Sequence, residues 1–169
     1  MIILGIDPGT ASTGWGVVRQ DGSRLVSLAY GCIVTSPRHG AAARLRQIYE
    51  DTDRLLRRFH PEALAIEDLF VNVNVKTALT VGHARGVIIL AAGQHGLEPQ
   101  DYSPLAIKRA VTGYGRASKV QVQEMTKVIL GLARIPQPDH AADALAVAIT
   151  HAHACGGSLA APASRGARS

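Results

Sequence analysis

The hydrophobic pattern of the first third of the chain predicts strands. An apolar run at 2–6, IILGI, is typical of a strand and ends at the turn residues DPGT at 7–10. Two further strand-like segments, 13–20 and 24–34, flank the two-residue turn Asp21-Gly22, which indicates a hairpin. The chain therefore opens with a predicted three-stranded antiparallel meander.

Later segments alternate between helical and strand-like patterns. The predicted helices are 41–59, 76–95, 103–110, 119–132 and 139–154, and the predicted strands are 63–67 and 99–102. This order indicates one α/β domain over residues 1–155, with a five-stranded mixed sheet that has helices on both faces. The small, polar stretch 156–169 predicts a disordered tail.

Carboxylates stand where several of these elements begin or end. Asp7 follows the first strand and Glu67 follows the fourth. If these strands are parallel neighbours, both side chains face one cleft, and the glycines at 14 and 16 leave room beside Asp7. The alternative is that Asp7 only caps its turn through its side chain.

The last predicted helix adds a second pair of polar side chains. His140 and Asp143 are three residues apart and share a helix face, in a surrounding of alanine and leucine. Asp139 is open to two interpretations, as the helix N-cap or as a further member of the site, because it also shares a face with Asp143.

Composition adds a partner class and excludes some sites. The 169 residues include 18 Lys and Arg against 13 Asp and Glu, and a pI near 9.6 favours a polyanionic partner such as nucleic acid, although the surplus also serves solubility. Cys32 and Cys155 are far apart, which indicates neither a zinc site nor a disulfide framework. No signal peptide or membrane span is evident, so we expect a soluble cytoplasmic protein without a membrane role.

Three acids in one cleft indicate metal chemistry. Clustered carboxylate oxygens suit Mg²⁺ or Mn²⁺, and two such ions activate water and stabilise the leaving oxygen of a phosphodiester. Lys119 and Lys108 are candidates to contact the substrate phosphate, with Arg116 in the glycine-rich loop 113–116 as a further DNA contact. For each lysine the alternative is an ordinary solvated surface position.

Four segments carry a resemblance to a known family. They are GIDPGTASTGWGVV at the start, AIEDLFVNVN around Glu67, ALTVGHARGVIILAA in the long helix and HAADALAVAITHAH at the end. Together they resemble the RuvC family of bacterial Holliday-junction endonucleases, which have an RNase H-like fold. The resemblance implies a homodimer that binds four-way DNA junctions in recombination and repair and cuts two strands of like polarity. It also implies the branch-migration proteins RuvA and RuvB as partners.

The resemblance assigns roles to individual residues. It places the family's catalytic acids at Asp7, Glu67 and Asp143, its basic residues near the scissile phosphate at Lys119 and Lys108, and a base-stacking loop aromatic at Phe70. Many members have an aspartate where this chain has His140. We count His140 with the catalytic and metal-binding residues, and because an imidazole lowers the negative charge of the site, we expect Mn²⁺ to be favoured over Mg²⁺.

Three other functions fit parts of the pattern. Actin-like and sugar-kinase ATPases also open with a strand and a D-x-G-T turn, but they need two related domains and a second phosphate loop. A binding module for branched nucleic acid would not need acids near phosphates, which they repel. A short RNase H-fold protein of the YqgF type, which is thought to act on RNA, would leave the segment 103–135 unexplained.

Overall fold

A computed structural model describes residues 1–68 and 75–156 of the chain. The strands are β1 (Ile2–Asp7), β2 (Ser12–Asp21), β3 (Arg24–Val34), β4 (Ala63–Glu67) and β5 (Gln100–Tyr102). The helices are α1 (Ala41–Phe59), α2 (Val75–Gln94), α3 (Pro104–Thr112), α4 (Lys119–Ile129) and α5 (Asp139–Gly156).

The five strands form one mixed sheet in the order β3-β2-β1-β4-β5. β1, β2 and β3 are antiparallel neighbours, whereas β4 runs parallel to β1 and β5 runs parallel to β4. Ile6 pairs with Ile66, so the next residues, Asp7 and Glu67, end their strands side by side at the same edge of the sheet. The predicted five-stranded mixed sheet is confirmed.

Side-chain alternation along β1 divides the core into two layers. Leu4 and Ile6 pack with the α1 and α2 side chains, and Ile3 packs with α3, α4 and α5 on the other face. Because successive strand residues point to opposite faces, Asp7 shares the α5 face with Ile3. Glu67 shares that face with Ala65 by the same rule. The two carboxylates therefore point toward α5.

Helix α5 lies unusually close to the sheet because its contact positions there are glycines. A Cβ at Gly5 would lie 2.7 Å from the backbone nitrogen of Ala148, and one at Gly14 would overlap the carbonyl of His140. A Cβ at Gly16 would lie 2.7 Å from Leu145 Cδ2. The room that the sequence predicted beside Asp7 is thus filled by the backbone of α5.

The strand boundaries agree with the predictions to within one residue, and the larger differences lie at the C-terminal ends of helices. The prediction that α4 reaches Leu132 is wrong, since α4 ends at Ile129. Gly131 adopts a φ of 62°, and the amide of Leu132 donates to the carbonyl of Lys127 at 2.9 Å, which closes the helix in a Schellman turn. At the other end of α4, the predicted N-cap Ser118 is confirmed, with Gln121 completing a capping box.

The predicted disordered tail is almost untested by the structure. Gly156 is the last residue of α5, and the remainder, 157–169, lies outside the described residues. The predicted end of α5 near Ala154 is two residues short of the end that the structure shows.

Helix α2 has both a buried and an exposed apolar side. Ala84, Ile88 and Ala92 are buried against the sheet, whereas Leu79 and Leu90 are 61% and 55% exposed. Within the part of the chain that the structure describes, α2 is the one helix that is long and apolar enough to cross a membrane by length and composition, which is weak evidence for a span.

Gly5→Ala is expected to lower the free energy of unfolding by at least about 2 kcal/mol, because the added methyl group would press on the α5 backbone. Urea denaturation measures the change. Gly93→Ala in α2 is the matched control, since no atom lies within 4 Å of the added Cβ and alanine favours the helix by up to about 1 kcal/mol. Equal loss in both variants would contradict the close contact between α5 and the sheet.

Candidate metal centre

One cleft collects the predicted site residues from four different elements. Asp7 and Glu67 stand at the ends of β1 and β4, His140 and Asp143 lie in the first turns of α5, and Lys119 begins α4. The cleft has a volume of about 360 Å³, and its other lining residues are Pro104, Ile107, Lys108, Val122 and Ala146. The predicted convergence of these side chains is what the structure shows.

Three of the side chains form a compact group that could hold a metal ion. Asp7, His140 and Asp143 each offer a ligand atom, and these atoms all lie within 4.8 Å of one another. His140 Nδ1 and Asp7 Oδ2 are 2.7 Å apart, in a hydrogen bond that links α5 directly to β1. Glu67 lines the same cleft but lies outside this group.

The donor set fits a divalent cation. Carboxylate oxygens suit both Mg²⁺ and Mn²⁺. An imidazole nitrogen suits the softer Mn²⁺ better than the hard Mg²⁺. Glu67 is placed to add a fourth side chain from the neighbouring strand end. The donor set therefore suits the metal roles that the sequence predicted for Asp7, His140 and Asp143, and these roles, like that of Glu67, stay predictions.

Lys119 is paired with the acids of α5. Its Nζ lies 2.9 Å from Asp143 Oδ2 and 3.5 Å from Asp139 Oδ2. Burial lowers the pKa of Lys119, but the hydrogen bond and charge of Asp143, with the charge of Asp139, raise it above its usual value on balance. Lys119 therefore carries a full positive charge in the cleft.

Asp139 does not act as the N-cap of α5, because the helix begins with Asp139 itself. Its carboxylate is 57% exposed and faces Lys119 instead. It is also not one of the three residues whose ligand atoms lie within 4.8 Å of one another. The Asp139 carboxylate therefore lies beside the three-residue group, where it pairs with Lys119, and this position is neither of the two that the sequence left open.

Burial and like charge raise the pKa values of two cleft carboxylates. The pKa of Glu67 is raised to about 7, chiefly by burial and then by the negative charges of Asp7 and Asp143. Burial also raises the pKa of Asp7, although its hydrogen bond to His140 opposes the shift. A positive ion in the cleft would favour the charged form of both groups.

The predicted DNA-binding residues differ in how close they lie to the cleft. Lys108 lines the cleft, whereas Arg116 is exposed in the loop before α4 and is not part of the cleft lining. Phe70 lies outside the described residues. Sequence reasoning missed Ile107 and Val122, which form an apolar wall of the cleft. Helical spacing could have placed them on buried faces, but an apolar side chain does not by itself indicate a functional site.

Comparison with known proteins decides the family. The family model described as crossover junction endodeoxyribonuclease RuvC matches residues 3–151. The chain belongs to the RuvC family. A RuvC from Rubrobacter xylanophilus is 55% identical over 151 residues, which cover 89% of this chain and 84% of that protein. A RuvC from Alkaliphilus oremlandii is 52% identical over 153 residues, which cover 90% of this chain and 93% of that protein.

Solved structures agree with this assignment. The structure described as Thermus thermophilus RuvC in complex with a Holliday junction substrate matches with a TM-score of 0.90 at 38% identity, covering 94% of this chain and 96% of that one. The yeast mitochondrial Holliday junction resolvase Ydc2 has a TM-score of 0.61 at 14% identity, which shows the shared fold alone. The predicted RuvC family, the RNase H-like fold and the enzyme class are confirmed.

In this RuvC-family protein, Glu67→Gln is expected to stabilise the metal-free chain in a pH-dependent way. Glu67 has a folded pKa of about 7 against 4.5 for the free group, so the wild type loses stability as pH rises from 4.5 to about 7. The glutamine cannot ionise, so the advantage of the variant should grow over that window, to at most about 3 kcal/mol, and stay level above it.

Urea unfolding in EDTA across this pH range measures the difference between the Glu67→Gln variant and the wild type. Glu98→Gln, at an exposed position outside the cleft, is the control, and the same pH dependence in both variants would show that the effect does not come from the cleft. A flat difference for Glu67→Gln would show that Glu67 ionises as it does in the unfolded chain.

Proposed function

We propose that the cleft of Asp7, Glu67, His140 and Asp143 binds two divalent ions and hydrolyses phosphodiester bonds of four-way DNA junctions. The observation that carries this proposal is the convergence of three metal-ligating side chains within 4.8 Å in a chain of the RuvC family. A RuvC solved with a Holliday junction substrate supports the choice of substrate. Asp7 would hold the bound ions together with Glu67, His140 and Asp143, which line the same cleft.

The residues of the cleft divide the chemistry among themselves. Bound divalent ions would supply an activated water and stabilise charge on the leaving oxygen. His140 holds the Asp7 carboxylate through its Nδ1, which fixes the direction in which that carboxylate faces. Lys119 supplies a permanent positive charge, and its ammonium group is able to turn from Asp143 to a substrate phosphate. Glu67 is deprotonated at mildly basic pH, where it is able to act as a ligand.

Further residues are assigned to DNA contact. Lys108 lines the cleft beside the metal group and is placed to contact the phosphate chain of the cut strand. Arg116 is exposed beside the start of α4, where it would reach a more distant part of the junction. The role of Phe70 in stacking on junction bases rests on the family resemblance and on the stacking energy of exposed aromatics.

A second copy of the chain completes the proposed enzyme. Two symmetric cuts need two active sites, and one chain offers one such group among its described residues. The exposed leucines of α2, Leu79 and Leu90, together with Val75, which is 75% exposed, form an apolar face that a homodimer would bury. We place the dimer in the cytoplasm with RuvA and RuvB as partners, following the family resemblance.

Asp7→Asn is expected to retain junction binding and to lose cleavage, because the amide removes a charged metal ligand without changing the size of the side chain. A gel-shift titration in EDTA measures binding, and cleavage of a synthetic four-way junction in Mn²⁺ measures activity. Asp21→Asn, at the exposed end of β2, is the control and should cut at the wild-type rate. Wild-type cleavage by Asp7→Asn would show that the proposed metal mechanism is wrong.

Cleavage is expected to be faster with Mn²⁺ than with Mg²⁺, because an imidazole ligand favours a transition ion. His140→Asp should shift this preference toward Mg²⁺, since it replaces the nitrogen ligand with oxygen. Junction cleavage over a titration of each metal gives the ratio of rates for both proteins. Equal or faster wild-type cleavage in Mg²⁺ would contradict the role of His140 as a ligand.

A further inference from the structure

The turn that follows Asp7 is held by a buried hydroxyl group. Thr13, at the start of β2, is fully buried, and its Oγ1 donates to the carbonyl oxygen of Gly9 at 2.6 Å. The amide of Gly9 in turn donates to Thr13 Oγ1 at 3.4 Å. A Cβ on Gly9 would collide with the carbonyl of Ser12, so the turn is closed tightly against the strand that carries Thr13.

A second buried hydroxyl holds the next residue of the same turn. Thr35, directly after β3, is 3% exposed, and its Oγ1 donates to the carbonyl oxygen of Thr10 at 2.5 Å. The same Oγ1 accepts from Arg44 Nε of α1 at 2.8 Å. The backbone amide of Thr35 also donates to the carbonyl of Ala11 at 3.1 Å. The turn is thus tied to β2, to the end of β3 and to α1.

These bonds matter because the turn follows directly on Asp7, the last residue of β1. Pro8 has no amide hydrogen, so the ladder of β1 stops at Asp7 and the sheet no longer fixes the chain beyond it. His140 also contacts Asp7, but it is itself a proposed ligand and is 47% exposed. Metal ligands need to be held to within about 0.5 Å, which requires support from residues behind them.

We propose that Thr13 and Thr35 are positioning residues of the metal centre, whose hydroxyl groups hold the turn after Asp7 so that its carboxylate is fixed for metal binding. The inference rests on the metal role that the proposed function gives to Asp7. Neither threonine is one of the residues that line the cleft, so both act through the backbone of residues 9 and 10.

The test compares variants that remove a hydroxyl group with variants that keep it. Thr13→Val and Thr35→Val keep the shape of the side chain and remove the donor, whereas Thr13→Ser and Thr35→Ser keep the donor. Thr52→Val is the matched control, because Thr52 is fully buried in α1 and its Oγ1 donates to the carbonyl of Ile48 at 2.7 Å, remote from the cleft. Asp7→Asn and the wild type complete the set.

Three measurements separate positioning from stability. The first is Mn²⁺ affinity of the protein without DNA, followed through the electron paramagnetic resonance signal of free Mn²⁺. The second is the thermal midpoint, and the third is kcat and KM for a four-way junction. We expect each valine variant to lose about 10- to 100-fold in Mn²⁺ affinity and in kcat, with KM unchanged. Each serine variant should recover most of the loss.

The control defines the outcome that would overturn the inference. Thr52→Val should lower the thermal midpoint and leave Mn²⁺ affinity at the wild-type value. If Thr13→Val and Thr35→Val behave like Thr52→Val, their hydroxyl groups only stabilise the fold and the inference is wrong. Failure of the proposed function looks different, because Asp7→Asn would then bind Mn²⁺ and cut junctions as the wild type does.

Discussion

The contact between α5 and the sheet is the constraint on which the site depends. Helix α5 can reach the backbone of β1 and β2 only because Gly5, Gly14 and Gly16 have no side chains there. That approach brings His140 within hydrogen-bond distance of Asp7. A single methyl group in this contact would move the helix away from the sheet. The proposed ligands on α5 would then be separated from the proposed ligand on β1. Packing and chemistry are therefore set by the same residues.

Concentrating acids in a partly buried cleft works against the stability of the fold. Burial and mutual repulsion raise the pKa of Glu67 to about 7, so the folded chain at neutral pH holds this carboxylate charged only in part. Lys119 offsets some of the repulsion by its contact with Asp143 at 2.9 Å. After burial, the charges of Asp7 and Asp143 raise the pKa of Glu67 further, and the charges of Lys119 and Lys108 oppose that rise only in part. Such an excess of negative charge is what a divalent cation would relieve.

Some of this arrangement could be predicted from the sequence, and the reasons are local. Asp7 and Glu67 meet because parallel strands share a carboxyl edge, and both the strands and their parallel order follow from the pattern of apolar segments. The end of α4 at Ile129 could also have been predicted, because Gly131 is a strong helix stop signal, but the prediction extended the helix to Leu132. The contact of Lys119 with Asp143 could not be predicted from the sequence, because it depends on the angle at which α4 packs on α5.

The origin of the ligands has a consequence for folding. The proposed metal-binding side chains come from β1, β4 and α5, which are distant in the sequence and meet only when the sheet and α5 are assembled. An unfolded chain therefore has no preformed cation site, and the free energy of cation binding adds to the free energy of folding. The raised pKa values of Asp7 and Glu67 mean that ionising these groups lowers the free energy of unfolding. A bound cation would raise it again and so offset the destabilisation that the site itself causes. Cation binding at the proposed site would in this way be coupled to the docking of α5 on the sheet.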